Sequence, residues 1–156
     1  MKRILALLAA AAVLCLTSCG SAETAAVFTD VRASDGVVTI PTDGIGGSAG
    51  FYNYDADGVT VQLVALRDKN GAVHAAFNTC QSCSPSPKAY YEQDGGVLKC
   101  ANCGFTFSPE EVGVTHGGCN PWPIEGVEIG ESAITAPESS LNDMAKVFSG
   151  WGGPTE

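Results

Sequence analysis

The stretch "AAFNTCQSCSPSPKAYYEQDGGVLKCANCGFTF", residues 75–107, decides the reading of this chain. It holds two Cys-x-x-Cys pairs, Cys80/Cys83 and Cys100/Cys103, with sixteen residues between Cys83 and Cys100. That spacing falls inside the pattern of a four-thiolate metal site. Two cysteines two residues apart, in a tight turn at a strand end, aim both sulfurs at one point. Backbone N–H groups of such a turn then offset the thiolate charge. "CANCG" supplies a glycine just past the second cysteine, where this knuckle turns left-handed. "CQSCS" has Ser84 there instead, so the first knuckle is expected to be less regular. Each pair follows an apolar strand end, "AAF" and "GVL", as a ribbon-type site requires.

Two other chemistries suit paired cysteines. A reactive dithiol sits at a helix N-terminus, which lowers the first thiol's pKa. Nothing after Cys83 or Cys103 reads as a helix: "SPSPKAYY" and "GFTFSP" are strand or coil. Structural disulfides would leave one sulfur over, because five cysteines follow residue 19: Cys80, Cys83, Cys100, Cys103 and Cys119. Cys119 lies among glycines in "THGGCNPWPI", where the backbone can approach something closely. It is a candidate fifth ligand, a thiol that contacts the ligands without binding the ion, or a resolving thiol. His116, three residues earlier, is a weaker candidate ligand. So is His74, which by alternation shares a strand face with Ala76 and Asn78.

Outward from the cysteines the chain reads as strand after strand. "GVVTIP" (36–41) is a short strand stopped by Pro41. "TDGIGGSAG" (42–50) is a glycine-rich loop without the Lys-Ser/Thr of a phosphate-binding loop. "FYNYDADG" (51–58) is aromatic and then turns. "VTVQLVALRD" (59–68) and "AVHAAFNTC" (72–80) are strands joined by a hairpin turn containing Asn-Gly. A further hairpin, "GGVLKCANCGFTF", closes the cysteine region. "NPWPIEG" is too proline-rich to be regular, and "VEIGESAITA" (127–136) is one more strand. "PESSLNDMAKVFSGW" (137–151) reads as the only helix, with Pro137 at its first position and Leu141, Met144, Ala145 and Phe148 on one stripe. Tyr52, Tyr54, Tyr90 and Tyr91 read as packing residues, and Trp122 as a cover for the site or the core edge. The expected fold is mostly β: a small antiparallel β domain with zinc-ribbon-like Cys-x-x-Cys hairpins and one C-terminal helix.

The N-terminus is of another kind. "MKR" is a basic n-region, and "ILALLAAAAVLCL" is a 13-residue apolar run, short for a membrane span and right for a signal-peptide core. "LTSC", Leu16 to Cys19, resembles a bacterial lipobox, in which Cys19 is lipidated and becomes the mature N-terminus. A diacylated cysteine anchors stably. The expected divisions are a signal peptide at 1–18, a flexible tether at 19–35, the β domain at 36–136, and a helix and tail at 137–156. Cys15 is discarded with the signal. Export removes the chain from the reducing cytosol, and thiols that persist there are usually bound to something.

The net charge is −9, and more negative once Lys2 and Arg3 are removed with the signal. Such a surface repels phosphate backbones, so no nucleic-acid partner is expected. No Ser/His/Asp set, paired catalytic carboxylates or nucleotide loop is visible, which argues against acyl, glycosyl and phosphoryl chemistry.

"FYNYDADGVTVQLVALRDKNGAVHAAFNTCQSC" (51–83), "YYEQDGGVLKCANCGFTF" (90–107) and "GVTHGGCNPWPI" (113–124) together resemble the FtrD-like domain, a family of membrane iron–sulfur-containing proteins associated with iron transport. The resemblance runs from about Val37 to Ile124. Its most specific parts are the two Cys-x-x-Cys pairs and the terminal "GGCNP". It implies that Cys80, Cys83, Cys100, Cys103 and Cys119 are the family's motif cysteines. It further implies an iron or iron–sulfur cofactor and an iron-uptake membrane complex or redox partner. Relatives carry the domain behind several membrane helices, whereas this chain has one signal and a lipid-anchor motif. A chain exported unfolded captures a single ion more readily than a prebuilt cluster. Zinc and iron in four thiolates therefore both stay open.

The expectation is an extracytoplasmic, lipid-anchored metal-binding lipoprotein accessory to iron transport or electron transfer. One alternative is a zinc-ribbon module whose metal is structural and whose function lies on the 42–58 surface. Another is a thiol–disulfide oxidoreductase using one cysteine pair.

Overall fold

The computed structural model describes residues 26–156; the expected signal segment, Cys15 and Cys19 lie outside the described residues. The first strands are β1 (Val27–Val31), β2 (Ala33–Ser34), β3 (Val37–Pro41) and β4 (Gly50–Ala56). The long hairpin follows as β5 (Val59–Arg67) and β6 (Val73–Cys80). Then come β7 (Tyr91–Asp94), β8 (Val97–Cys100) and β9 (Thr106–Phe107), a 3-10 turn at Pro109–Glu111, and β10 (Pro121–Trp122). The chain closes with β11 (Glu128–Ile129), β12 (Ala133–Pro137) and one helix, α1 (Glu138–Phe148). Among the described residues the chain is mostly β with a single α-helix, the expected class.

The strands form three sheets: β1-β4-β5-β6-β10, β11-β12-β3-β2 and β7-β8-β9. All pairings are antiparallel except β1 with β4. The position of β5 organises them. Six consecutive residues, Val61 to Leu66, are fully buried, because both faces of this strand are covered. Val61, Leu63 and Ala65 pack with Val38, Ile40, Ile134, Leu141, Met144 and Phe148, the side of α1 and the second sheet. Val64 and Leu66 point the other way, into a cluster with Tyr91, Leu98, Phe107, Cys80 and Cys100. Each large side chain buried in this way contributes about 2 kcal/mol of transfer free energy. The cysteine sheet is thus clamped onto one face of the central sheet, and α1 onto the other.

A buried polar stitch fixes how the cysteine sheet docks. Asn53, Gln62 and Asn78 lie side by side on β4, β5 and β6. Gln62 Nε2 donates to Asn53 Oδ1 at 2.6 Å, and Asn78 Nδ2 donates to Gln62 Oε1 at 2.7 Å. Asn78 Oδ1 accepts from the Tyr91 backbone N–H at 2.8 Å, and its Nδ2 donates to the Tyr91 carbonyl at 3.3 Å. One asparagine on β6 therefore holds β7 as a neighbouring strand would. The Trp151 indole N–H bonds the Asn78 carbonyl at 2.9 Å, and the Pro154 carbonyl accepts from Gln62 at 2.9 Å, so the C-terminal tail locks the same row.

Three expectations need correction. The stretch read as a tether becomes β1 from Val27, because Phe28 stacks on Phe51 at 5.3 Å and Val27–Val31 pair with β4. The strand expected over 127–136 is a hairpin of two, β11 and β12, with Gly130 in the turn region between them. "NPWPIEG" does contain regular structure: Pro121 and Trp122 pair with β6 as an edge strand, where a missing N–H is tolerated.

Replacing Asn78 by Ala strips partners from Gln62 and from both backbone groups of Tyr91. The expected loss is roughly 2–4 kcal/mol, read as a lower urea midpoint of the chelator-treated protein. An unchanged midpoint would contradict the stitch.

Candidate metal centre

The first knuckle begins where β6 ends. The Ser84 N–H returns to the Cys80 carbonyl at 3.0 Å, and the Ser86 N–H to the Cys83 carbonyl at 2.8 Å, folding 80–86 into successive turns. Ser84–Pro85 is a cis peptide. The second knuckle begins where β8 ends. The Gly104 N–H bonds the Cys100 carbonyl and the Cys100 N–H bonds the Phe105 carbonyl, both at 2.9 Å. Gly104 has φ +76°, the left-handed turn anticipated after "CANC". Neither pair leads into a helix, so neither sulfur pair has a helix N-terminus beneath it.

Cys119 arrives by a third route. Pro121 of β10 pairs with Cys80 of β6, which brings the residues just before β10 alongside the first knuckle. The two residues inside the first Cys-x-x-Cys then strap this loop down. Gln81 Nε2 donates to the carbonyls of Thr115, Asn120 and Pro121 at 3.1–3.4 Å, and Gln81 Oε1 accepts from the Gly117 N–H at 2.6 Å. Ser82 Oγ donates to the Gly118 carbonyl at 2.6 Å. The buried Tyr91 hydroxyl donates to the Cys119 carbonyl. The glycines before Cys119 serve through conformation, not close approach. Gly117 and Gly118 have φ +85° and +63°, and nothing crowds Gly117.

The sulfurs of Cys80, Cys83, Cys103 and Cys119 all lie within 4.8 Å of one another. Cys100 stands beside this set, its sulfur 3.9 Å from that of Cys83. All five thiols are free, and 3.9 Å is far beyond a disulfide bond. Cys80 and Cys100 are buried, Cys83 and Cys119 half-buried, and Cys103 exposed. The two histidines take no part in the set. His74 sits six residues up β6 from Cys80, about 20 Å away at strand rise, and pairs with Asp68 at 3.2 Å. His116 is exposed on the strapped loop.

Crowding governs the protonation of the site. Burial pushes the Cys100 thiol up to about 12 and, with help from the adjacent Cys103 and Cys80 sulfurs, the Cys119 thiol up to about 11. Burial, followed by Cys80, also raises Cys83. Cys103 goes the other way: burial pushes it up, but the Phe105 N–H and the Cys100, Cys83 and Cys119 thiols outweigh that and lower it. Burial and then the neighbouring Cys80 raise the Tyr91 hydroxyl, so it remains a donor.

Metal fits this donor set. A tetrahedral ion with bonds of about 2.3 Å needs sulfurs about 3.8 Å apart, within about 1 Å of the observed limit. The observed set could hold a metal. Soft thiolates select zinc, iron or copper(I) over hard cations.

The fold and site define a small β protein whose converging cysteine knuckles could hold a metal. The chain belongs to the FtrD-like family, described as membrane iron-sulfur containing protein FtrD-like, whose model matches residues 46–148 and spans all five cysteines. That membership ties it to iron transport and to membranes. No curated protein and no solved structure matches the chain. Among the described residues no helix is long and apolar enough to cross a membrane.

The raised thiols carry their protons at neutral pH, and a bound ion must displace them. Cys83 and Cys119 alone supply two, so affinity for Co2+ should rise at least about 100-fold per pH unit near pH 7. Competition titrations at pH 6.5, 7.0 and 7.5 measure it. A pH-independent affinity would contradict the thiolate assignment.

Proposed function

We propose that the chain is an extracytoplasmic, lipid-anchored iron-binding protein that serves an iron-uptake membrane complex or a redox partner. The observation that carries this reading is the convergence of cysteines from three chain segments in a protein of an iron-transport family. A lipidated Cys19 would leave residues 20–26 as tether before β1, a reach of roughly 25 Å. That keeps the domain close to the membrane surface. Residues 1–18 would be the signal, and the packed domain would run from Val27 through α1 to the tail.

In this role Cys80, Cys83, Cys103 and Cys119 hold a single iron ion, with Cys100 beside them. The ion supplies either the cargo or a one-electron centre. The chain's residues supply the rest. Knuckle N–H groups at 102, 103 and 105 face the Cys100 and Cys103 sulfurs, and the apolar cluster around Tyr91 and Leu98 excludes water from the inner side. The acidic surface favours cations and basic partners over anionic ones.

The experiment is elemental analysis of the protein purified from its own envelope, alongside a Cys19→Ala variant. About one iron per chain is expected, in the membrane fraction for the native protein and released for the variant. Zinc in place of iron would make the site redox-silent and structural. Metal-free protein with paired cysteines would point to thiol–disulfide exchange.

A further inference from the structure

Of the five described cysteines, Cys100 alone stands outside the gathered set, and its sulfur lies 3.9 Å from that of Cys83. The contact is clasped by the chain around it. Ser86, just past the first knuckle, donates through Oγ to Asn102 Oδ1 inside the second at 2.9 Å. The Cys80 N–H bonds the Ala89 carbonyl at 2.9 Å, and the Ala101 N–H bonds the Tyr90 carbonyl at 2.8 Å. Tyr91 pairs directly with Cys100. Residues 89–91 thus hold the first knuckle against the second. Two sulfurs in this contact need about 2 Å of combined travel to reach the length of a disulfide bond, a distance that rotation about the two Cα–Cβ bonds covers.

We infer that Cys83 and Cys100 form a reversible disulfide that shuts the metal site, with a small-molecule or protein disulfide as the oxidant. This rests on the proposed function above, and adds redox control of the same site. In the oxidised form Cys83 is no longer a ligand. Cys80, Cys103 and Cys119 remain, one short of a tetrahedral four-thiolate set. Ion and disulfide therefore exclude each other: a bound ion occupies the Cys83 sulfur, and the disulfide takes that sulfur away.

The reaction is a pair of thiol–disulfide exchanges. Cys83 is half-buried and Cys100 only 1% exposed, so an oxidant meets them in that order. The Cys83 sulfur bonds to one sulfur of the incoming disulfide as its S–S bond breaks. The other sulfur leaves as a thiol with the Cys83 proton. The Cys100 sulfur then bonds to Cys83 from the buried side and displaces the second sulfur, which leaves as a thiol with the Cys100 proton. Two electrons pass from the protein thiols to the oxidant, and a dithiol reductant reverses the sequence. A disulfide at exposed Cys103 stays open to attack by outside thiols. One between Cys83 and Cys100 has its inner sulfur sealed in the core cluster with Tyr91 and Leu98.

The test treats full-length, reduced, metal-stripped protein with 2-hydroxyethyl disulfide, then alkylates the remaining thiols and maps the linked peptides by mass spectrometry. Cys83 joined to Cys100 is expected, with Cys80, Cys103 and Cys119 alkylated. After removal of the oxidant, Co2+ affinity should be lower by at least about 100-fold and should return with dithiothreitol. With Co2+ present at ten times its dissociation constant, oxidation should slow on the order of tenfold, because only the free protein reacts. Cys100→Ala and Cys100→Ser, tested in parallel, should bind Co2+ when reduced and keep that affinity through the same treatment. Five alkylated cysteines, a linkage of Cys103 to Cys100 or to Cys119, or an undiminished Co2+ affinity in the linked protein would overturn the inference. Failure of the reduced protein to bind Co2+ would instead overturn the metal-binding reading, whatever the peptide map shows.

Discussion

Charge in a confined apolar space governs this molecule. Five sulfurs meet at the end of a core cluster that also holds Tyr91, Leu98 and Phe107. Several thiolates packed this closely repel one another, and little water screens them. Without a cation, burial and the neighbouring sulfurs favour the protonated form of the Cys83, Cys100 and Cys119 thiols, all of which are pushed up. A bound metal ion would reverse that balance by neutralising the charge and holding three chain segments together. The fold brings β6, β8 and the loop before β10 to one point, and only a cation makes that point favourable when the thiols ionise.

The rest of the architecture serves this convergence. β5 is buried on both faces, so it joins two cores instead of bounding one. α1 and the second sheet stabilise one side and leave the other free to carry the cysteine hairpins. Asn78 then sets the distance between the central sheet and β7, and Tyr91, held by Asn78, reaches across to the backbone of Cys119. One hydrogen-bonded path thus runs from the middle of the central sheet to the edge of the sulfur cluster. The resulting gradient runs from buried Cys80 and Cys100 to exposed Cys103, with a closed inner side and an open outer side.

Much of this was legible in the chain, and the reasons are local. Cys-x2-Cys with an apolar strand end before it and Gly104 after it specifies a knuckle within a few residues. The Asn-Gly turn between β5 and β6 and the Leu141, Met144, Phe148 stripe are equally short-range. What stayed hidden depends on partners distant in sequence. Val27–Val31 reads as a polar tether until β4 lies beside it and Phe51 meets Phe28. Pro121 reads as a breaker until its pairing with Cys80 makes it an edge residue. Gln81 and Ser82 look like spacers between two cysteines. Their task, strapping the Cys119 loop, is visible only once that loop has folded back over more than thirty residues. Sequence spacing drew the four-sulfur set around the two pairs. The fold gathers Cys119 with Cys80, Cys83 and Cys103, and leaves Cys100 beside them.

The central proposal is that these sulfurs would enclose one ion. X-ray absorption at the metal edge of the protein isolated from its own membrane tests it most directly. The account predicts a single shell of about four sulfurs near 2.3 Å, with no metal neighbour beyond it. A second metal scatterer bridged by sulfide, or a first shell of nitrogen and oxygen, would contradict it.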